Sequence, residues 1–205
     1  MKQPLGVILA GGLSSRMGGG DKGLLDLNGK SILSHVIERL EPQTAGVAIN
    51  ANGDPTRFSN TGLSVIPDSI SDFPGPLAGV LAGLDWAAAQ GAETIVTAAA
   101  DTPFFPCDLV PQLMLATEGM QNPLALSASR DPQSDKLWRQ PTFGLWPVAL
   151  RDDLRTALQD GLRKVILWTD RHNAGLVEFP VGRVDPFFNV NTPDELAQAR
   201  FLAEG

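Results

Sequence analysis

The feature that most constrains this chain is a set of short apolar runs that each stop at a glycine or a polar residue. Leu5 to Leu9 leads into Gly11-Gly12, Val47 to Ile49 into Asn50, Leu63 to Ile66 into Asp68, and Thr94 to Ala100 into Asp101. Near-continuous apolar runs of this length suit strands buried on both faces of a parallel sheet, where helices cover each side. The intervening segments supply those helices. Ser31 to Leu40 carries apolar residues at Ile32, Leu33, Val36, Ile37 and Leu40, which is helical spacing. Pro76 to Gln90 has proline in its first turn and Gly91 beyond its end. The alternation predicts a three-layer α/β/α fold around a Rossmann-like, mostly parallel sheet. Right-handed crossovers then bring all four strand ends to one edge, where open α/β sheets take their ligands.

The second half is less regular. Ala125 to Ser129 and Thr142 to Trp146 read as strands, and Val148 to Leu158 and Lys164 to Asp170 as helices. Thr192-Pro193-Asp194-Glu195 is a capping box with proline at the first helical position, opening a helix to about Ala203. No repeat, low-complexity tract or linker divides the chain, and Pro67 to Gly79 is apolar enough to be an ordered loop. One domain over residues 1–205 is expected. A chain of this length buries roughly 70% of its unfolded surface and needs no covalent staple.

A formal net charge of −7 argues against a nucleic-acid backbone as partner. Any bound anion must be met by a local cluster of donors. The single cysteine, Cys107, excludes a disulfide within the chain and a Cys-rich zinc site, and it reads as a packed thiol. No segment reaches the ~18 consecutive apolar residues of a membrane span. The first apolar run is too short for a signal sequence, so a cytoplasmic protein with no membrane partner is expected.

The segment from Leu9 to Lys22, LAGGLSSRMGGGDK, joins a strand end to a glycine-rich loop bearing Arg16 and Lys22. Glycines allow close backbone approach, and successive N–H groups form a concavity for phosphate oxygens. Two familiar signatures fail here. Gly18 to Gly23 satisfies G-x-G-x-x-G by letters but follows a long loop rather than a strand. Gly23 to Ser31 ends in Gly-Lys-Ser, but its glycine spacing is one residue too long for a Walker A loop.

The motifs that do fit run along the whole chain. LAGG at Leu9–Gly12, Ser15-Arg16-Met17-Gly18, Asp21-Lys22, Val47-Ala48-Ile49-Asn50 and Ile66-Pro67-Asp68-Ser69 are followed by three more. These are PGPLAG at Pro74–Gly79, Asp101-Thr102-Pro103, and NVNTP at Asn189–Pro193. In this order they resemble the molybdenum cofactor guanylyltransferases, a branch of the MobA-like nucleotidyltransferases. The resemblance implies transfer of GMP from GTP to the terminal phosphate of molybdopterin, with release of pyrophosphate. It places Leu9, Ala10, Gly11, Lys22, Asn50, Asp68 and Asp101 around GTP, puts Mg²⁺ on Asp101, and sets Arg16 in the phosphate loop. Arg16, Lys22 and Asp101 would carry the catalysis. The acceptor would lie on the second half, near Gln140 and its neighbours Arg139 and Thr142, near Arg163 and Lys164, and at Asn189 or Asn191. Contacts with molybdenum-insertion proteins and molybdoenzyme chaperones are also implied.

The residue chemistry agrees. A strand-end carboxylate suits Mg²⁺, which takes one or two carboxylates plus phosphate oxygens. A phosphate monoester with a second pKa near ~6 is already a nucleophile at neutral pH, so no general base is required. His35 and His172 therefore read as structural. Plainer roles stay open beside these: helix caps for Asp68 and Asp101, a turn residue for Asn50, bracing of the last helix for Asn189 and Asn191, and an ordinary solvated surface for Arg163 and Lys164. Three other functions fit less well. A cytidylyltransferase of the same cofactor resembles TAAG where this chain has LAGG, a sugar-1-phosphate enzyme is usually longer, and a binding-only adaptor has no use for the metal carboxylate.

Overall fold

The structure, a computed structural model, describes residues 2–11, 21–70 and 75–204. Strand β1 (Leu5–Leu9) is followed by a small hairpin, β2 (Asp26–Leu27) and β3 (Lys30–Ser31), and by helix α1 (Ile32–Leu40). Ser31 caps α1, its hydroxyl accepting from the Ser34 N–H. Then come β4 (Val47–Asn50), β5 (Ser64–Ile66), α2 (Pro76–Ala89), β6 (Thr94–Ala99) and α3 (Leu109–Ala116). The second half supplies β7 (Ala125–Arg130), β8 (Leu137–Pro147), α4 (Arg151–Gln159), α5 (Val165–Arg171), β9 (Gly175–Phe179) and α6 (Pro193–Ala203).

Seven strands form one sheet in the order β5-β4-β1-β6-β8-β7-β9. Every neighbouring pair is parallel except those involving β8, which runs against both β6 and β7. The expected mostly parallel sheet is therefore present, and so are its two covering layers. On β1, Ile8 faces a core with Leu33, Val36 and Leu40 of α1 and Leu109 and Leu113 of α3. Its neighbour Val7 faces the opposite core, with Leu77, Val80 and Leu84 of α2, Leu154 of α4 and Trp168 of α5. That alternation is the period-2 geometry of a strand buried on both faces. A smaller cluster of Leu27, Ile32, Val190, Leu196 and Ala199 seats α6 against the hairpin.

The structure departs from the sequence reading in six places. The hairpin, α3 and β9 were not foreseen. Strand β8 begins at Leu137 rather than Thr142, and it passes Pro141 through an irregularity, pairing Leu126 with Gly144 but Ser127 with Gln140. Val148–Leu150 is a 3₁₀ turn, with the α-helix starting only at Arg151. Cys107 is not packed: it is exposed, and its Sγ lies 3.2 Å from Arg39 Nη1. It sits in the turns ahead of α3, where the chain has left the core.

Helix α2 lies against the strand ends because Gly79 has no side chain. A Cβ there would collide with Asn50 Oδ1 and stand 2.9 Å from Leu9 Cδ2. Gly79→Ala is expected to destabilise the fold by about 1–3 kcal/mol, the cost of overpacking a filled interior. Chemical denaturation checks this, and an unchanged midpoint would show that the helix can retreat freely.

Candidate active site

The parallel ladder brings the four predicted strand ends into one row. Leu9 is in register with Asn50 on one side and Ala99 on the other, and Asn50 with Ile66. Backbone bonds continue the row past the strands: Ala10 N–H to Asn50 C=O at 2.9 Å, Ala100 N–H to Leu9 C=O at 3.1 Å, and Ala51 N–H to Ile66 C=O at 3.1 Å. Two groups of side chains stand above it.

The first surrounds Asp68. Asn50, only 2% exposed, donates through Nδ2 to Ile66 C=O at 3.2 Å and to Asp68 Oδ1 at 2.9 Å. Asn52 donates to the other carboxylate oxygen, Oδ2, at 2.8 Å and accepts from the Asp68 N–H at 2.9 Å. Both oxygens of Asp68 are thus held by amides, so the carboxylate is fixed in place as an acceptor. Asp68 caps no helix, since α2 is capped at Gly75, and Asn50 is a strand residue rather than a turn residue.

The second group surrounds Asp101. The Val190 N–H donates to the Asp101 carbonyl at 2.8 Å, which pins the NVNTP segment to the end of β6. Lys22 donates through Nζ to Asn191 Oδ1 at 2.7 Å. The Thr102 hydroxyl donates to Asn189 Oδ1 and lies 3.3 Å from Asp101 Oδ1. The capping box is formed, Glu195 Oε2 accepting from the N–H groups of Asn191 and Thr192 at 2.7 and 2.9 Å. Helix α3 starts after Asp108, so Asp101 is not its cap. An open cleft adjoins the second group, with Leu9, Ala10, Asp21, Lys22, Gly23, Phe58 and Asp101 on its walls.

The predicted residues therefore divide. Leu9, Ala10, Lys22, Asn50, Asp68, Asp101, Asn189 and Asn191 come together at this edge, with Gly11 exposed beside Asn50. Arg16 and the rest of the glycine-rich loop between Gly11 and Asp21 lie outside the described residues. Gln140 belongs to neither group: its amide donates to Ser129 Oγ at 3.1 Å across the β7–β8 pair. The neighbouring Arg139 is paired with Asp170, and Arg163 donates to the carbonyl of Leu158. His35 meets the carbonyl of Leu27 at 2.9 Å and His172 meets Asp153, both structural contacts as expected. Asn52, Phe58 and Arg57 were missed. Asn52 was legible, because residues two apart at a strand end share a side, and Asn50-Ala51-Asn52 repeats the same amide.

Burial is the main influence on Asp101, and it pushes the carboxyl above its ordinary range. The Lys22 charge and the Thr102 hydroxyl oppose this, while the Glu195 charge adds to it. Desolvation thus outweighs the Lys22 counter-charge at this side chain. No cluster of three or more His, Cys, Asp or Glu is placed to hold a metal among the described residues. A cation here would rely on Asp101 together with ligand oxygens and water.

Residues 6–174 match the MobA-like NTP transferase domain. The chain is 50% identical over 200 residues to a molybdenum cofactor guanylyltransferase of Rhodopseudomonas palustris, covering 96% of this chain and 92% of that one. It is 48% identical over 205 residues to one of Rhizobium meliloti, covering 96% and 90%. Two solved structures share the fold. Molybdopterin-guanine dinucleotide biosynthesis protein A from Archaeoglobus fulgidus superposes over 98% of each chain with a TM-score of 0.70 at 23% identity. A CMP:2-keto-3-deoxy-manno-octonic acid synthetase complexed with CTP superposes over 99% of each with a TM-score of 0.73 at 18% identity.

The raised carboxyl of Asp101 fixes the sign of a stability effect. A carboxyl raised by folding favours the fold below its ordinary range, and that contribution is lost as pH rises through the folded-state value. At neutral pH the ionised Asp101 therefore costs the ligand-free protein stability. Asp101→Asn is expected to melt at or above the wild-type temperature at neutral pH without ligand. The difference should shrink as pH falls toward the carboxylate range. Thermal melts across pH check this, and a lower melting temperature for the variant at neutral pH would contradict it.

Proposed function

The chain belongs to the MobA-like NTP transferase family, and on that premise we propose that it transfers GMP from GTP to the terminal phosphate of molybdopterin. An oxygen of that phosphate attacks the α-phosphorus of GTP, and the bond from the α-phosphorus to the bridging oxygen breaks. Pyrophosphate leaves, and the molybdopterin guanine dinucleotide remains. The observation that carries this reading is the gathering, along one sheet edge, of a fixed acceptor carboxylate at Asp68 and the Lys22–Asn191–Asp101 group. One side suits a base with N–H donors and the other suits phosphates.

Guanine presents N–H donors on its Watson–Crick edge, and Asp68, held by Asn50 and Asn52, is an acceptor ready for them. A base lacking those donors leaves the carboxylate's remaining acceptor positions without a partner once water is displaced, which costs about 1–3 kcal/mol. Lys22 supplies a mobile positive charge to the phosphates and would exchange Asn191 for them. Charge gathering on the α-phosphate and the departing pyrophosphate is best met by groups already in place. Asp101 fits Mg²⁺ because it is a strand-end carboxylate whose desolvation outweighs its counter-charge, and Mg²⁺ takes few protein ligands when phosphates supply the rest. When bound, the ion supplies neutralisation of phosphate charge. Asn189 and Asn191, tied to Thr102 and Lys22, stand where the acceptor phosphate must arrive. Gln140, farther along the sheet, belongs to the acceptor side in this reading. An exposed free thiol at Cys107 suits a reducing compartment, so we place the reaction in the cytoplasm. No helix is long and apolar enough to cross a membrane among the described residues. Molybdenum-insertion proteins and molybdoenzyme chaperones are the partners such a product calls for.

Two measurements test the reading. Calorimetry should show GTP binding more tightly than CTP or ATP, and equal or tighter binding of CTP would remove the guanine assignment. Asp101→Asn should lower GMP transfer at least ~10²–10³-fold with the fold intact. Transfer near the wild-type rate at ordinary Mg²⁺ would leave Asp101 with no part in the chemistry.

A further inference from the structure

Arg57 lies in the 3₁₀ stretch Pro55–Thr61 between β4 and β5, outside every motif that points to the nucleotide. Its guanidinium nevertheless reaches across to the cleft wall that carries Lys22. The buried Nε stands 2.5 Å from Asp21 Oδ2, and the two meet as an ion pair rather than as an aligned hydrogen bond. The side chains are only 27% and 19% exposed. Nη2 donates to the Asn52 carbonyl at 2.6 Å and Nη1 to the Asp54 carbonyl at 2.9 Å. The guanidinium carbon lies 4.7 Å from the ring centroid of Phe58, which is itself part of the cleft wall.

We propose that Arg57 is a positioning residue that neutralises Asp21 beside Lys22 and ties the Asp21–Lys22 wall to the backbone at Asn52 and Asp54, so that the cleft accepts a polyanion. The proposal rests on the nucleotide reading given above. Asp21 lines the cleft next to the residue that must meet the phosphates, and Arg57 is its one cationic partner among the described residues. A mostly buried carboxylate stripped of its partner is a strong local negative charge, since little water screens it. Facing a triphosphate, that charge repels in proportion to the charge on the ligand. Arginine suits the task better than lysine because its planar fork reaches a carboxylate and two carbonyls at once while its face rests on an aromatic ring.

The test is a charge cycle on the full chain: wild type, Arg57→Gln, Asp21→Asn, the double variant and Arg57→Lys, with GTP and GMP as probes. Arg57→Gln is expected to weaken GTP binding roughly tenfold and GMP binding less, because fewer charges face Asp21. In turnover it should raise KM for GTP while kcat stays within about twofold, the pattern of lost ground-state and transition-state binding alike. Asp21→Asn, which leaves the Arg57 charge uncancelled near the phosphates, should bind GTP at least as tightly as wild type, the double variant should recover most of the GTP affinity, and Arg57→Lys should recover part. GTP binding by Arg57→Gln equal to wild type overturns the proposal. So does an equal loss for GTP and GMP, or a double variant no better than Arg57→Gln, since either would make Arg57 a brace of the fold alone. Wild-type protein that binds neither nucleotide overturns the nucleotide reading itself, and the proposal with it.

Discussion

The parallel pairing of β1 with β4 on one side and β6 on the other is the constraint on which the rest depends. It sets Leu9 level with Asn50 and with Ala99, so the chain leaves three strands at the same height. The register is not free to slide. A shift of one residue would turn Val7 and Ile8, both fully buried, toward the wrong cores, and each core is closed by different helices. Burial on both faces therefore fixes the row from which the site rises. The backbone bonds from Ala10, Ala51 and Ala100 then carry that order into the loops.

What stands on the row depends on small residues as much as on polar ones. The run Ala98-Ala99-Ala100 ahead of Asp101 acquires a reason from the structure. Gly23, buried in the 3₁₀ turn Lys22–Leu24, sits so near this strand end that a Cβ on it would stand 3.3 Å from Ala100 C=O and 3.5 Å from Ala100 Cβ. Small side chains on both partners let the turn press against the strand and bring Lys22 to the Asp101 side of the cleft. Gly79 does the same for α2 against Asn50 and Leu9. An acidic chain must concentrate its cationic groups where an anion binds, and close backbone approach is how this fold does so.

Much of this was legible from the sequence. The strand-end residues Asn50, Asp68 and Asp101 could be read because an apolar run that stops at a polar side chain is a local pattern, and the sheet edge follows from topology rules alone. The first half of β8 could not. Pro141 and the mixed Leu137-Trp138-Arg139-Gln140 deny it both the apolar run and the missing-proline signature of a central strand, and only the irregular pairing with β7 accommodates it. Helix α3 carries Pro111 inside a short apolar stretch, tolerable only because it falls in the first turn. Strand β9 is five residues whose alternation is shallow, and it is defined by its partner β7. Arg57 was invisible for a different reason. Nothing in Asp54-Pro55-Thr56-Arg57-Phe58 marks it until the fold brings Asp21 within reach, since the meaning of a lone charge lies in its distant neighbour.

Three carboxylates near this sheet edge are held in three different ways. Asp68 has both oxygens satisfied by side-chain amides from Asn50 and Asn52, neutral donors that fix direction without cancelling charge. It is set to accept, and it stays available only at the cost of any ligand unable to donate. Asp101 is held mainly through its backbone, by Val190, and burial strips its side chain of more solvation than the Lys22 charge restores. Such a group stores unfavourable electrostatic energy that a cation or a phosphate-bound ion can release, so ligand binding and fold stability become linked there. Asp21 is the third case, cancelled outright by Arg57. Of the three carboxylates at this sheet edge, then, one is oriented, one is desolvated beyond what its counter-charge offsets and one is neutralised. Equal treatment of all three would leave the cleft either too negative for a nucleotide or without a carboxylate to hold a metal.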